Sequence, residues 1–331
     1  AKDLGALTLS MVRGEDGYQR KEVRRLVAWL SEIARPDLIC LSNLLIGGSI
    51  PALKRDLGVP VLVTLQGDDV FLDELEEPWK SKVLTEMRRL ARIADGFVTF
   101  SEHYRNHMRD LLGIPEESFH LTPLGVTVSE FDSVRDARCG RPPGQTLGYF
   151  ARLAPEKGFD LAVGAFLRLA PQFPKLRLHA GGWLSPKDRD YFRALIDQID
   201  QAGLSHRFRH VEAPDAAAKH EFFKEIDLFT VPARLVEPKG IYALEAMACG
   251  LPVVVPDRGA FPEMVAGGGG AVLCRPDDVT DLAAKLAALL EHPTEATALG
   301  NQGRCWVERS NSREAMARET DALFKRVVSR T

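Results

Sequence analysis

Two glutamates flank a short turn near the middle of the second half of the chain. Glu237 and Glu245 stand eight positions apart in the stretch LVEPKGIYALEAMACGLPVVVP at 235–256. If this stretch were helical throughout, about 12 Å of helix axis would separate the two residues. Two carboxylates that act on one glycosidic bond lie about 5 to 9.5 Å apart. The pair is therefore expected to hold different parts of one elongated ligand, with solvated surface glutamates as the alternative.

The turn between the two glutamates leads into a predicted helix. Pro238 and Gly240 break any preceding strand, and residues 241–249 then follow a helical pattern that ends at a glycine and a proline. The start of a helix presents unpaired N–H groups and the positive end of the helix dipole. An anionic group of the ligand is therefore expected between the two carboxylates.

A second segment, GYFARLAPEKGF at 148–159, follows the pattern of a strand, a turn and a helix start. It places Arg152 and Lys157 at the carboxyl end of a predicted strand. Arginine offers a forked set of donors and lysine a mobile point charge, and together they suit a diphosphate. A solvated pair of surface cations is the alternative.

The elements that must position these residues alternate along the chain. Short runs rich in Val, Ile, Leu and Phe alternate with longer amphipathic segments, which predicts α/β units around parallel sheets. Strands are predicted at 38–41, 61–65, 96–100, 119–124, 146–149, 176–180, 208–211, 228–231, 252–255 and 271–273. The fold class is therefore α/β, with two Rossmann-like domains facing a cleft.

The polar stretch DSVRDARCGRPPGQ divides the two series of strands. We expect a first domain at 1–131, a linker at 132–145, a second domain at 146–303, and a helical tail at 304–331 that packs back on the first domain. The first domain offers only four strand candidates, so its opening strands are expected to be missing from this sequence.

Composition excludes several classes of function. The chain has 331 residues with 43 basic and 46 acidic side chains, and the net charge of −3 argues against nucleic-acid binding. Five scattered cysteines form no metal-binding pattern and favour the cytoplasm. No apolar run reaches the length of a membrane span. A basic amphipathic helix at 18–33 is compatible with peripheral contact with a membrane, but packing on its own sheet is favoured.

Together the two segments resemble the donor-binding signature of the retaining family 4 glycosyltransferases, which have the GT-B architecture. The family pattern places Gly-Arg-Leu-x-x-x-Lys-Gly after a strand, and a Glu-x7-Glu block before Ala-Met-Ala-x-Gly-x-Pro-Val-Val. The matching stretches are ARLAPEKG at 151–158, EPKG at 237–240 and LEAMACGLPVV at 244–254, with support from PLGV at 123–126, HAGG at 179–182 and IDLFTVPA at 226–233.

The resemblance implies a nucleotide diphosphate sugar as donor and a role for each matching residue. Arg152 and Lys157 would neutralise the diphosphate, Glu245 would bind the ribose hydroxyls, and Glu237 would hold hydroxyls of the donor sugar. Backbone N–H groups would meet sugar and phosphate, and the base would lie against the end of a strand. The N–H groups that would meet sugar and phosphate are those of Lys239, Gly240 and Ile241. The base would lie against Val211 and Glu212. No cofactor and no divalent metal are expected.

Two departures from the family bear on specificity. Gln66 stands where the family commonly has a histidine, and it is expected either to face the donor sugar or to cap a turn. Glutamine cannot shuttle a proton near neutral pH, and Asp68 or Asp69 is a candidate to orient the acceptor hydroxyl. Lys239 stands where the family usually carries phenylalanine, and it is expected to touch donor or acceptor.

The predicted function is retaining transfer of a sugar to an acceptor hydroxyl by a cytoplasmic enzyme, with a glycan, a lipid or a small molecule as acceptor. A non-catalytic nucleotide-sugar binder and a nucleotide-sugar epimerase of the same architecture are the alternatives. The Arg-Leu-x-x-x-Lys-Gly block speaks against the epimerase.

Overall fold

The computed structural model describes residues 2–141, 144–212 and 215–329. The chain divides into two compact units, one formed by Ala1–Pro123 with Ala317–Thr331 and the other by Leu124–Met316. The division falls between Pro123 and Leu124, earlier than the predicted boundary at residue 131.

The first unit contains a parallel sheet of four strands in the order β1-β2-β3-β4. The strands are β1 Ile39–Leu41, β2 Val61–Thr64, β3 Gly96–Thr99 and β4 Phe119–Leu121, at the four predicted positions. Strands β2 and β3 are buried on both faces. Burial on both faces is the reason for their continuous apolar sequences.

Helices cover this sheet. They are α1 Lys2–Arg13, α2 Arg20–Trp29, α3 Ile50–Leu57, α4 Asp68–Asp73, α5 Trp79–Ala91 and α6 Glu102–Leu112. Helix α2 carries the basic amphipathic pattern, and it buries Val23 and Val27 in the core of its own unit. Within the described residues, no helix combines the length and the apolar content that crossing a membrane requires.

The second unit contains a parallel sheet of six strands in the order β10-β9-β8-β5-β6-β7. The strands are β5 Thr146–Phe150, β6 Arg177–Gly181, β7 Phe208–Val211, β8 Leu228–Thr230, β9 Val253–Pro256 and β10 Ala271–Cys274. Counted from the first strand of the unit, this is the Rossmann order 3-2-1-4-5-6. In such sheets a ligand binds where the order reverses, outside the carboxyl ends of the strands. That point lies between β5 and β8.

The helices of the second unit surround this sheet. They are α7 Asp132–Arg138, α8 Phe159–Leu169, α9 Arg189–Gln201, α10 Ala216–Glu225, α11 Ile241–Ala248, α12 Phe261–Ala266, α13 Val279–Glu291 and α14 Pro293–Ser310. Helix α7 occupies the first half of the stretch 132–145, which was predicted as a linker without helical periodicity. It buries Val134 completely, and Arg304 binds the Asp132 carboxylate at 2.6 Å. A helix of seven residues that buries a single side chain has too little hydrophobic periodicity to be recognised from the sequence.

The predicted helical tail is two helices with a break between them. Helix α14 ends at Ser310 and α15 Arg313–Val328 begins three residues later. At the break, Asn311 donates its side-chain amide to the Leu124 carbonyl oxygen at 3.0 Å. The last helix begins in the second unit and ends in the first, where Leu323 packs with Leu62 and Val98.

Candidate functional site

The loops after β5 and β8 meet at the point where the strand order reverses. A 3-10 turn at Pro155–Lys157 follows β5, and Gly158 then starts α8 with a φ of +68°. A Cβ atom on Gly158 would lie 2.0 Å from the carbonyl oxygen of Pro232. Only glycine combines this backbone angle with so close an approach. The glycine of the Lys-Gly pair therefore lets the two loops touch.

Lys157 and Glu237 form a buried ion pair across these loops. The Lys157 Nζ atom lies 2.7 Å from Glu237 Oε2, and the two side chains are only 14% and 8% exposed. The Tyr242 hydroxyl donates to the same carboxylate oxygen at 3.2 Å, and Lys157 Nζ lies 5.3 Å from the centre of the Tyr242 ring. Two residues predicted to bind different parts of a donor are thus bound to each other.

The backbone that carries Glu237 is braced from two sides. Arg234 forms a forked pair with the Asp160 carboxylate at 2.6 and 2.7 Å. Burial acts to raise the pKa of Asp160, but hydrogen bonds from Arg234 and Tyr191 hold it below its ordinary value. On the other side, the Ala260 N–H group donates to the Glu237 carbonyl oxygen at 2.9 Å. The loop after β8 is therefore a rigid support for one buried carboxylate.

Glu245 has a different lysine partner, which sequence reasoning missed. Lys219 Nζ on α10 lies 2.6 Å from Glu245 Oε1 on α11, and these side chains are 24% and 17% exposed. The same ammonium lies 6.0 Å from the centre of the Phe131 ring. Its position could have indicated it. Helix α10 follows β7, so it starts at the same edge of the sheet as the predicted site.

The remaining predicted donor contacts lie at the carboxyl edge of the same sheet. Arg152 is exposed and pairs with Glu156 at 2.8 Å. Gly240 has a φ of +67° and starts α11, and its N–H group donates to Glu237 Oε1 at 3.4 Å. The other four predicted donor contacts differ in exposure. Ile241 and Glu212 are exposed, while Lys239 and Val211 are half-buried.

Three cations at this edge of the sheet each have a carboxylate partner. Lys157 pairs with Glu237, Lys219 with Glu245, and Arg152 with Glu156. The formal charge of these three pairs sums to zero. A diphosphate is fully attracted to one of these cations only if the paired carboxylate moves away from it. The released carboxylate then needs hydrogen-bond donors, so the pairs favour a ligand that carries both an anionic group and hydroxyl groups.

The predicted first-unit residues follow β2: Gln66 lies in the loop, and Asp68 is the first residue of α4. Gln66 donates its side-chain amide to the Ser42 carbonyl oxygen at 2.8 Å. Asp68 is 2% exposed and accepts from the N–H groups of Leu44 at 2.6 Å and Gln66 at 3.1 Å. Burial raises the pKa of this carboxyl group, while those hydrogen bonds oppose the change. In the structure Asp68 supports its own loop, which argues against the predicted contact with an acceptor.

A metal site is not evident in the part of the chain that the structure describes. There, no group of three His, Cys, Asp or Glu side chains comes together in an arrangement that could hold a metal ion. The expectation that the reaction needs no divalent metal stays a prediction.

Solved structures of similar shape define the class of fold. Sucrose-phosphate synthase from Thermosynechococcus elongatus superposes with a TM-score of 0.77 at 23% identity, over 94% of this chain and 78% of that one. The Anabaena protein Alr3699/HepE, solved in complex with UDP, superposes with a TM-score of 0.76 at 18% identity, over 98% and 96% of the two chains. The fold is that of the GT-B glycosyltransferases.

Sequence comparison then identifies the family. Residues 141–306 match the model described as glycosyl transferases group 1, and residues 6–125 match a glycosyl transferase 4-like domain. The chain belongs to the glycosyl transferases group 1 family.

Two curated relatives illustrate the range of this family. A GDP-mannose-dependent alpha-(1-6)-phosphatidylinositol monomannoside mannosyltransferase of Mycolicibacterium smegmatis is 30% identical over 239 residues, which are 67% of this chain and 60% of that protein. A glycogen synthase of Mycobacterium tuberculosis is 27% identical over 302 residues, which are 89% of this chain and 69% of that protein. The chain thus spans about three fifths to two thirds of the length of these relatives.

Proposed function

We propose that this protein is a retaining glycosyltransferase that moves a sugar from a nucleotide diphosphate sugar to an acceptor hydroxyl. The observation that carries the proposal is the pair Lys157–Glu237, buried where the order of strands reverses and joined at 2.7 Å. A buried lysine and carboxylate that neutralise each other match a ligand with a phosphate next to a hydroxyl-bearing ring.

Donor binding exchanges the partners of these charged groups. The diphosphate takes Lys157 and Arg152, so Glu237 is released to accept hydrogen bonds from hydroxyls of the donor sugar. Glu245 accepts from the ribose hydroxyls, and the N–H groups of Gly240 and Ile241 lie at the start of a helix, which favours the phosphate. The cations also stabilise the charge that grows on the diphosphate as the glycosidic bond breaks.

The proposed chemistry is substitution on one face of the donor sugar. The bond between C1 and the diphosphate oxygen breaks, and the acceptor oxygen bonds to C1 from the same face. The acceptor proton passes to an oxygen of the leaving phosphate, so no side chain has to serve as the general base. This is consistent with Gln66 where the family has histidine, and with Asp68 bound to backbone N–H groups.

The relatives support a nucleotide-linked donor but differ in the donor and the acceptor. One relative uses GDP-mannose by its name, and one neighbour was solved with UDP. We propose a cytoplasmic location, because Cys40, Cys139, Cys249, Cys274 and Cys305 are all free thiols. We also propose that Lys157, Arg152 and the start of α11 suffice for the diphosphate, so that transfer proceeds without a divalent metal.

The test uses a panel of isotope-labelled UDP-, GDP- and ADP-sugars with the full chain and no acceptor. Binding is followed by calorimetry and slow donor hydrolysis by NMR, with and without EDTA. We expect one nucleotide to bind, the released sugar to keep its anomeric form, and EDTA to change neither. Inverted anomeric configuration would exclude the retaining mechanism, and a C2-inverted product would identify an epimerase. Binding without turnover, even after acceptor extracts are added, would identify a binder.

A further inference from the structure

A basic hollow lies at the amino-terminal edge of the six-stranded sheet, opposite the loops described above. Its volume is about 550 Å³, and it lies where β5, β6 and β7 begin. The charged side chains and the buried histidine that line it are Arg141, Arg177, Arg207, Arg209, Glu225 and His179. All of these residues belong to the second unit.

The register of the strands places three of these side chains on one face. In the parallel pair β6 and β7, His179 lies directly opposite Arg209. Arg177 is two residues before His179 on the same strand, so it points to the same face. On the other side of His179 the opposite residue is Gly148, which the Ile226 side chain covers. Two guanidinium groups and an imidazole therefore converge from neighbouring strands.

His179 has a buried polar atom that its surroundings leave unsatisfied. The residue is only 9% exposed, and within the described residues its Nδ1 atom has no hydrogen-bond partner. The nearest carboxylate oxygen, Glu225 Oε2, lies 3.6 Å away, which is beyond hydrogen-bonding distance. Leaving a buried polar group without a hydrogen bond is unfavourable. A bound oxygen would remove this cost.

The hollow also carries an excess of positive charge. Arg209 pairs with Glu225 at 2.7 Å, and Arg141 pairs with Asp227. Arg207 donates to the carbonyl oxygen of Ala170 at 3.2 Å, and a backbone carbonyl does not neutralise it. Among the residues that the structure describes, exposed Arg177 has no ion-pair partner. Four guanidinium groups face two carboxylates, which leaves a net charge of about +2.

We propose that this hollow binds the phosphate group of a small soluble phosphate ester, held by the guanidinium groups of Arg177 and Arg209 and by His179 Nδ1. Arginine forks match the oxygens of a phosphate in pairs, and the neutral imidazole supplies one further N–H donor. The hollow has room for more than the phosphate itself, so the ester also carries an organic group. This site lies at the opposite edge of the sheet from Lys157 and Glu237, and it does not depend on the proposed transfer reaction.

The imidazole of His179 provides a reporter for the test. Burial lowers its pKa, and the charges of Arg209 and Arg177 lower it further against the opposing effect of Glu225 and Asp227. A dianion beside Nδ1 favours the charged imidazolium, so occupancy should shift the pKa of His179 upward. The chain has eight histidines, and the His179 signal is assigned as the one lost in His179→Gln.

The experiment records the histidine Cε1–H resonances of the full chain while inorganic phosphate, and then glucose 6-phosphate, is added at constant ionic strength. We expect a saturable shift of the His179 signal with both ligands, tighter for the ester, and an increase in its pKa. Arg177→Gln should weaken the apparent affinity about tenfold, since it removes one charge-assisted contact. Arg177 is exposed, so this variant keeps the fold, and thermal unfolding confirms that it does.

Two matched controls separate this site from others. Arg193→Gln removes an exposed arginine elsewhere in the same unit and should leave the titration unchanged. Arg152→Gln changes an exposed residue at the other edge of the sheet and should also leave it unchanged. The proposal is overturned if the His179 signal does not saturate, if chloride or sulfate at equal ionic strength reproduces the shift, or if Arg152→Gln abolishes it.

Discussion

Two loops after parallel strands carry buried carboxylates, and the two loops satisfy them in different ways. In the first unit, Asp68 after β2 accepts from the backbone N–H groups of Leu44 and Gln66. In the second unit, Glu237 after β8 and Glu245 on α11 accept at 2.7 and 2.6 Å from lysines on other elements, and the Gly240 N–H group lies at a longer 3.4 Å from Glu237. A carboxylate bound to backbone N–H groups can exchange its hydrogen-bond partners only if the backbone around it rearranges. A carboxylate bound to a lysine can exchange partners by rotation of two side chains.

The comparison separates a carboxylate that supports a fold from carboxylates that can bind a ligand. Sequence position alone did not distinguish Asp68 from Glu237, because each follows an apolar strand in a polar segment. The partner distinguishes them, and substitutions of the partner should therefore have effects of different kinds in the two units.

The largest effect is expected from Lys157→Gln. This change removes a cation from the diphosphate and leaves Glu237, which is 8% exposed, without its charged partner. We expect kcat/KM to fall about 100-fold or more and the free energy of unfolding to fall by about 3 kcal/mol. Donor turnover and urea unfolding measure the two effects, with Lys175→Gln, an exposed lysine, as the control. Donor turnover near the wild-type value would show that Lys157 does not contact the diphosphate.

The next effect distinguishes the two glutamates from each other. Glu245→Gln should weaken binding of the free nucleoside diphosphate about tenfold, because a neutral amide accepts less strongly from ribose hydroxyls than a carboxylate does. Glu237→Gln should leave that affinity within about twofold and instead lower kcat/KM for the complete donor. Calorimetry with UDP, GDP and ADP measures the first quantity. Equal loss of nucleotide affinity in both variants would refute the separate roles.

The sequence predicted the strands of both sheets well because each strand is a short apolar run between turn residues. Strands β7 and β5 lie at 208–211 and 146–150, against predictions of 208–211 and 146–149. Helix α7 was missed because its seven residues bury a single valine, so no helical period emerges from the polar stretch around it.

The candidate site was predictable only in part. The spacing of Arg152 and Lys157, and of Glu237 and Glu245, predicted that all four lie at one edge of the second sheet, and the structure places them there. The pairing of each lysine with one glutamate was not predictable, because Lys157 and Glu237 are 80 positions apart and only the strand order brings them together. Lys219 was missed because it stands on a helix with no motif around it, 26 positions before Glu245.

Lys219 therefore provides a smaller test of the comparison. We expect Lys219→Met to raise KM for the donor about five- to tenfold with kcat nearly unchanged, because Glu245 loses the ammonium that orients its carboxylate. Lys219→Arg should restore most of the affinity, since it keeps a donor at that position. If Lys219 instead only stabilises the packing of α10, both variants should lower the thermal unfolding temperature and neither should change KM.

The smallest effect on nucleotide binding is expected from Asp68→Ala. This change leaves the N–H groups of Leu44 and Gln66 without their acceptor inside the first unit, which should lower the free energy of unfolding by about 1 to 3 kcal/mol. Affinity for the free nucleoside diphosphate should stay within about twofold, because every group that we propose to bind it belongs to the second unit. Asp73→Ala, at an exposed carboxylate in the same unit, is the control for stability. A large loss of nucleotide affinity with unchanged stability would place Asp68 among the ligand-binding carboxylates and remove the distinction between the two loops.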